Sequence, residues 1–345
     1  LKILSEHESE SEICEIAAKG LLDIYTAQNK PSKAADVVER YSCIDYSEDE
    51  KENLFYGPAL QAYLDTNYNE AIYKFNVYLE NFQESGKHLG DAYYYLGDSY
   101  WQTADTINAI KNFEGVLNAN SGSFKETAAS IVSVYHYKMK DYLKALNQYQ
   151  RLANLASTPS SLNSARLGIM RCSFFLKNYQ LSKEYAILVM ENPSLTESIK
   201  AEANYALGLS SYHLNEYNQA LDPLNWLVNN TTTFMGSEAK FILAQIHFNQ
   251  DDLESAKNDI QELLKMKPSY DFWIAKGLIL KSKILVKEED LFQAEQNLNA
   301  VIEHYPVGDD GILEEAKELM NEIELLKTEV VEEEDPETKI EIDEN

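Results

Sequence analysis

The sequence contains few residues that interrupt helices. Among 345 residues there are only 13 Gly and 8 Pro. The turns of β-sandwiches are rich in both residues, so their scarcity argues against that class and is typical of helices joined by short turns. No run of 18 apolar residues occurs, which excludes a transmembrane helix within this sequence.

Cysteine is also scarce. Cys14, Cys43 and Cys172 are far apart and form no Cys-x-x-Cys pair. A structural zinc site needs about four closely placed thiolates or imidazoles, so the sequence excludes one. An odd count argues against a disulfide framework, and we therefore interpret the three cysteines as isolated thiols.

Positive charge is the third scarce feature. The sequence has 30 Lys and Arg against 57 Asp and Glu, a formal net charge of −27. Nucleic acids and anionic membranes attract basic surfaces, so both are poor partners for this chain. The charge instead favours a protein partner with a basic patch.

Sequence signatures of catalysis are missing as well. The sequence contains no GxxxxGK[ST], GxGxxG or HExxH, and its six histidines are scattered. Ser237 and Lys240 have the SxxK spacing of some acyl-transfer enzymes, but the accompanying motifs are absent. We therefore predict a non-enzymatic protein with no catalytic residues, no metal site and no cofactor.

What the sequence does contain is an internal repeat. A small residue recurs at spacings of 36 to 38 residues, each time inside an amphipathic segment. The eight positions are Ala34, Ala71, Ala109, Ala145, Ser182, Ala220, Ala256 and Ala294.

Each small residue is followed, four and seven positions later, by two further residues of the repeat. Nearly all of these are large and apolar. Offsets of 4 and 7 lie on one face of a helix, so each repeat is predicted to contain an amphipathic helix. Upstream of each small residue lies another helical segment, and Pro193, Pro268 and Pro306 end three of the pairs. The small residue is expected where the two helices of a pair approach each other.

The residues of the third repeat resemble the tetratricopeptide repeat (TPR) signature. The segment from Ala92 to Tyr100 contains Leu96-Gly97, and Ala109 and Phe113 follow at the spacing of that family. Leu207-Gly208 with Ala220, and Leu243-Ala244 with Ala256, are similar. The resemblance covers about residues 13 to 307, although the period exceeds the usual 34 residues by two to four.

The resemblance implies an all-α fold, a right-handed TPR superhelical solenoid of about eight helix-turn-helix repeats plus a C-terminal capping helix. We predict the end of a preceding helix or a linker over 1–12, the TPR array over 13–307 and the capping helix over 308–327. The acidic tail over 328–345 is predicted to be disordered, since it combines low hydrophobicity with high charge.

The long units and their loops, such as Asn81–Leu89, are similar to those of bacterial envelope TPR proteins of the Tol-Pal coordinator and outer-membrane assembly lipoprotein type. This similarity favours the periplasm or cell envelope over the cytoplasm. The sequence opens at Leu1 without a methionine, so we expect a C-terminal part of a longer protein, with any targeting signal in the missing part.

In TPR arrays the first helix of each pair lines the concave side, and aromatic residues recur there. They lie eight residues before the small residue, or seven residues further upstream, and polar residues such as Asp98 and Lys138 interleave with them. We predict a groove for an extended peptide or helix. Its candidate residues are Tyr56, Tyr63, Tyr94, Trp101, Tyr137, Phe174, Tyr205, Tyr212, Phe241 and Phe248.

Other interpretations stay open. The same rings can serve packing between repeats rather than ligand binding. The expected function is a protein-interaction scaffold that binds a partner segment in the concave groove. The alternatives are a cell-wall glycan-binding module that stacks sugars on Trp101, Tyr137 and Tyr212, and a regulatory subunit with an effector domain in the missing part. The identity of the partner and the oligomeric state do not follow from the sequence.

Overall fold

The computed structural model describes residues 11–28, 30–44, 46–82 and 85–334, and this part of the chain is all-α. It contains seventeen helices and no strand. They are α1 (Ser11–Ala27), α2 (Pro31–Arg40), α3 (Glu48–Leu64), α4 (Tyr68–Phe82), α5 (Leu89–Gln102), α6 (Thr106–Asn118), α7 (Lys125–Lys138), α8 (Tyr142–Leu155), α9 (Pro159–Phe175), α10 (Tyr179–Met190), α11 (Glu197–His213), α12 (Tyr217–Asn230), α13 (Phe234–Asn249), α14 (Leu253–Lys265), α15 (Asp271–Lys287), α16 (Leu291–His304) and α17 (Ile312–Glu334).

The chain divides into two compact units, Leu1–Cys172 and Ser173–Asn345. The boundary falls within α9. In the first unit, α3 packs against α4, α5 against α6 and α7 against α8; in the second, α11 packs against α12, α13 against α14 and α15 against α16. Within each unit, the helices of these pairs are neighbours both in sequence and in space, as in repeat proteins.

The predicted repeat is confirmed by burial. Each of the eight small residues lies in the second helix of a pair and is almost completely buried. The residues four and seven positions later are buried in all eight repeats as well, from Val38 and Tyr41 in the first to Leu298 and Val301 in the last. One face of every second helix thus forms the core of its repeat, and the predicted helix phase is correct.

The turn inside seven of the pairs, the second to the eighth, has one recurring conformation. The residue five positions before the small residue has φ near +60°, as at Thr66, Ala104 and Lys140. The backbone amide of the next residue donates a hydrogen bond to the carbonyl oxygen five residues before it. This is the Schellman arrangement that ends a helix. In five of these pairs the following Asp or Asn then caps the second helix: Asp105 and Asp141, for example, accept hydrogen bonds from the amides of Asn108 and Lys144.

The interpretation of all three cysteines as isolated thiols is wrong. Cys14 in α1 and Cys43 in the turn after α2 form a disulfide, with their Cα atoms 6.0 Å apart. They are 29 residues apart in sequence, and the antiparallel return of α2 along α1 brings them together. Cys172 is a free buried thiol, and burial raises its pKa to about 12, so it stays protonated.

Replacing Cys43 by Ser is expected to destabilise the first repeat by about 2–4 kcal/mol, because the disulfide closes a long loop around a small core. Hydrogen exchange should become faster in α1 and α2 and stay unchanged in α5 to α8. Adding reductant to wild type should reproduce this pattern, and adding it to the variant should change nothing further. Unchanged exchange in α1 and α2 would contradict a structural role for the bond.

The last helix packs on the eighth pair through Ile312, Ala316, Leu319 and Ile323, all of which are buried. Glu315 pairs with Lys276 at 2.6 Å and with Lys283 at 2.8 Å. Helix α17 ends at Glu334, seven residues beyond the predicted end at 327, because no helix breaker occurs before Pro336. Residues 1–10 and 335–345, where a preceding helix and a disordered tail were predicted, lie outside the described residues.

Candidate functional site

Four of the five predicted groove residues of the first unit, Tyr56, Tyr63, Tyr94 and Trp101, lie in a network of aromatic rings. Tyr63 contacts Tyr95 at 4.7 Å between ring centroids, and Tyr95 contacts Tyr94 at 5.7 Å. Tyr94 and Trp101 both contact Phe113, at 5.8 and 6.4 Å. Tyr63, Tyr94 and Trp101 are thus connected through intervening rings.

Tyr56 must be removed from the predicted groove. Its side chain is 8% exposed, it packs edge-on against Phe75 and Tyr78, and it stacks on His88 at 4.3 Å. A ring enclosed in this way cannot offer its face to a ligand. Tyr137 is partly buried and contacts Tyr142 at 5.8 Å.

The second unit contains the other five predicted residues. Phe174 and Tyr205 contact each other at 5.5 Å, Tyr212 contacts Tyr217, and Lys287 lies over the ring of Phe248 at 4.8 Å. Phe241 is 9% exposed and packs against Trp273, so it also belongs to the core and not to a groove.

Trp101 differs from the other predicted residues because it is 47% exposed and lines a cleft. The cleft has a volume of ≈ 460 Å³ and lies between α5 and α7, the first helices of two successive pairs. Elsewhere, α3 packs on α5 and α13 on α15, whereas α5 and α7 pack less closely. The cleft is lined by Asp98, Trp101, Phe113, Ser130, Ile131, Val134, Tyr135 and Lys138.

Phe113 connects the cleft to the core of the third repeat. This ring is buried in α6, and a Cβ atom added to Gly97 would lie 3.1 Å from it. The glycine therefore lets α5 approach α6 closely, so that the Phe113 ring fills the space under Trp101. The side chain of Val134, 40% exposed, supplies an apolar surface on α7.

Two charged residues line this apolar cleft. Asp98 accepts a hydrogen bond from Tyr63 Oη at 2.8 Å. Tyr63 lies in α3 of the preceding helix pair, and its hydrogen bond holds the Asp98 carboxylate in place. Burial, together with the charge of Asp98, raises the pKa of Tyr63 above its ordinary value, so the phenol remains a donor. Lys138 is exposed at the end of α7.

Four residues on α7 were not among the predicted groove residues: Ser130, Ile131, Val134 and Tyr135. The sequence does carry a signal for Val134. It lies eleven residues before Ala145, as Asp98 lies eleven residues before Ala109, one helical turn upstream of the aromatic position. Extending the pattern by one turn would have included it.

The SxxK spacing of Ser237 and Lys240 does not provide a catalytic base. Lys240 is buried and pairs with Asp259 at 2.7 Å and with Glu262 at 2.5 Å. Burial opposes its charge, but the two carboxylates outweigh burial and raise the pKa of Lys240. The ammonium group therefore stays protonated and cannot accept a proton from Ser237.

Metal-binding clusters and membrane-spanning helices are both absent from the described ranges of the chain. There, no group of three or more His, Cys, Asp or Glu could hold a metal ion. None of the helices in these ranges has the length and apolar character required to cross a bilayer.

The repeated helix pairs, each with a buried small residue and seven of them with a left-handed turn, define an α-helical repeat protein. The family model for the tetratricopeptide repeat matches residues 90–122 and 237–270, one segment in each unit. These matches, together with the all-α array of helix pairs, support the tetratricopeptide repeat resemblance that the sequence predicted. Repeat arrays of this kind present extended surfaces on which partner proteins bind, and the matched repeats support an interaction-scaffold role for this chain.

Several solved structures are similar to the chain. A TPR protein from Parabacteroides merdae is 14% identical, with a TM-score of 0.38, over 78% of this chain and 99% of that one. YrrB, described as a TPR protein with an unusual peptide-binding site, is 18% identical, with a TM-score of 0.44, over 61% and 100%. PilW, a type IV pilus biogenesis factor, is 16% identical, with a TM-score of 0.44, over 67% and 98%. No curated protein matches the chain in sequence.

Proposed function

We propose that this scaffold binds a segment of a partner protein in the cleft between α5 and α7. The observation that carries the proposal is the exposure of Trp101 on an apolar cleft. An exposed tryptophan that can be covered by a partner contributes more to binding than most interface residues, because it buries a large apolar area.

The shape and chemistry of the cleft also support the proposal. Ile131 and Val134 face Trp101 from a separate helix, so a side chain that enters the cleft is contacted from two sides. Asp98 and Lys138 add polar groups to these walls. Apolar pockets with a few polar groups are typical of specific binding sites.

Replacing Trp101 by Ala is expected to abolish the enrichment of the partner in a crosslinking pull-down from cell extract. A hot-spot tryptophan contributes about 2–4 kcal/mol, which corresponds to at least about a 30-fold loss of affinity. The matched control is Tyr73→Ala, because Tyr73 is an aromatic residue of α4 that is 57% exposed and lies outside the cleft. Equal capture by wild type and Trp101→Ala, with circular dichroism showing both folded, would refute the proposal.

The glycan-binding alternative receives less support from the geometry. Of the three rings it requires, Trp101 is exposed, whereas Tyr137 and Tyr212 are partly buried and contact other rings. The regulatory-subunit alternative and the non-enzymatic character of the chain stay predictions.

We further propose that the chain functions in an oxidising compartment, in agreement with the predicted periplasm or cell envelope. The disulfide between Cys14 and Cys43 supports this location, since disulfides persist there and are rare in the cytosol. Alkylation of the denatured, unreduced native protein should label one thiol, that of Cys172. Labelling of three thiols would contradict the proposal.

A further inference from the structure

The two charged residues of the cleft, Asp98 and Lys138, are not neutralised by each other. Both line the cleft, yet they form no ion pair. Asp98 has the Tyr63 hydroxyl as a donor and no cationic partner among the residues that the structure describes. An acidic and a basic group at separate places on one apolar cleft are available to a ligand of complementary charge.

Other charged residues near Lys138 are paired with partners elsewhere on the protein. On the same segment, Lys144 pairs with Asp141 at 3.2 Å, and His136 lies 3.1 Å from Glu114. Within the described ranges, Lys138 has no carboxylate partner of this kind, although the chain carries a formal charge of −27. The cleft therefore presents a positive charge at one point of an acidic protein.

The repeat register gives the positions of the two charges. Helices α5 and α7 each pack on α6, which runs in the opposite direction to both, so α5 and α7 run parallel. Asp98 lies eleven residues before Ala109, and Lys138 lies seven residues before Ala145. The four-residue difference corresponds to about 6 Å along the helices at 1.5 Å per residue. Two parallel helices whose axes lie about 10 Å apart therefore hold the two charges diagonally across the cleft, about 12 Å from each other.

We infer that the partner segment carries a basic and an acidic residue about three or four positions apart, with an apolar side chain between them. At about 3.3 Å per residue, an extended segment covers the diagonal in three or four residues. The basic residue pairs with Asp98, the apolar side chain enters between Trp101 and Val134, and the acidic residue pairs with Lys138. The two charges thus determine the direction and register of the segment. This inference rests on the proposed function of the cleft.

The test is a selection from a display library of random nine-residue peptides on the full chain, with Trp101→Ala as the counter-selection. We expect the selected peptides to contain the opposite charges at the stated separation on either side of an apolar residue. For such a peptide, Lys138→Glu should weaken binding about three- to tenfold, and changing the acidic residue of the peptide to Lys should restore it. Asp98→Asn, which keeps an acceptor for Tyr63, should weaken binding through the basic residue.

The matched control is Lys111→Glu, which changes the net charge equally at an exposed position of α6 outside the cleft. It should change affinity less than twofold. Peptides that depend on Trp101 but bind Lys138→Glu and Asp98→Asn as tightly as wild type would overturn the inference and leave the proposed function standing. Failure of the selection to yield any peptide that binds wild type but not Trp101→Ala would overturn both.

Discussion

Replacing Phe113 by Ala is expected to lower the free energy of unfolding of the first unit by about 3–5 kcal/mol. The ring is buried in the core of the third repeat, in contact with Tyr94, and it also lies under Trp101. Truncation removes these contacts and leaves a cavity that the close approach of α5 and α6 cannot fill. Urea denaturation followed by circular dichroism, with hydrogen exchange in α5 to α8, measures the loss.

Lys111→Ala is the control for this prediction. Lys111 lies two residues before Phe113 on α6 and is exposed, so its truncation should change the free energy of unfolding by less than about 0.5 kcal/mol. The variant with Ala at 113 should also lose affinity for the partner, since the cleft loses its base. Similar destabilisation by the two substitutions would contradict the packing described for α6.

Replacing Glu52 by Ala is expected to have a comparable effect. The buried carboxylate accepts a hydrogen bond from Tyr78 Oη at 2.5 Å and another from the amide of His88 at 2.9 Å. It thereby joins α3 to α4 and to the residue that precedes α5. Each buried donor left without an acceptor costs about 1–3 kcal/mol, so we expect a loss of about 3–5 kcal/mol in chemical denaturation. A loss below 1 kcal/mol would contradict this role.

The same carboxylate predicts a pH dependence. Burial opposes ionisation of Glu52, but the hydrogen bonds from Tyr78, His88 and Lys87 outweigh burial and hold its pKa below the ordinary value. A depressed pKa stabilises the folded state above the unfolded-state pKa of about 4.3, and this stabilisation disappears as the pH falls through the folded-state pKa. The stability difference between wild type and Glu52→Gln should therefore shrink between about pH 6 and pH 3.

Exposed Glu80 in α4 provides the matched comparison for the pH experiment. Glu80→Gln makes the same chemical change at an exposed position, and therefore controls for the loss of one carboxylate without the loss of buried hydrogen bonds. A difference between wild type and Glu52→Gln that stays constant over this range would show that the charge of Glu52 does not contribute to folding.

The fold could be predicted because every repeat meets the same physical requirement. Two helices approach where Ala71 or Ala109 stands, and the positions four and seven residues later must be buried against them. This requirement recurs along the chain, so the period, the helix phase and the number of pairs are visible in one sequence.

The disulfide could not be predicted in the same way. Cys14 lies in a helix and Cys43 in a turn, and neither spacing nor count shows that the return of α2 brings them together. A pair formed by tertiary contact leaves no periodic signal.

The candidate site could be predicted only in part. The aromatic period includes Trp101, but it does not show which rings are covered by neighbours. Phe124, for example, precedes α7 and stacks on Tyr94 at 3.9 Å, and His88 stacks on Tyr56. Both covering residues lie outside the helical pattern from which the groove was predicted. The looser packing of α5 and α7, which opens the cleft, depends on many side chains at once.

Site-specific photo-crosslinking tests the central claim most directly. A photoreactive phenylalanine analogue at Val134 lies within the cleft, and the same analogue at Lys111 lies on the exposed surface of α6. We predict that illumination in living cells crosslinks one partner protein through position 134, that position 111 gives no such product, and that Trp101→Ala removes it. Crosslinking of the same partner through position 111 alone, unaffected by Trp101→Ala, would show that binding occurs outside the cleft.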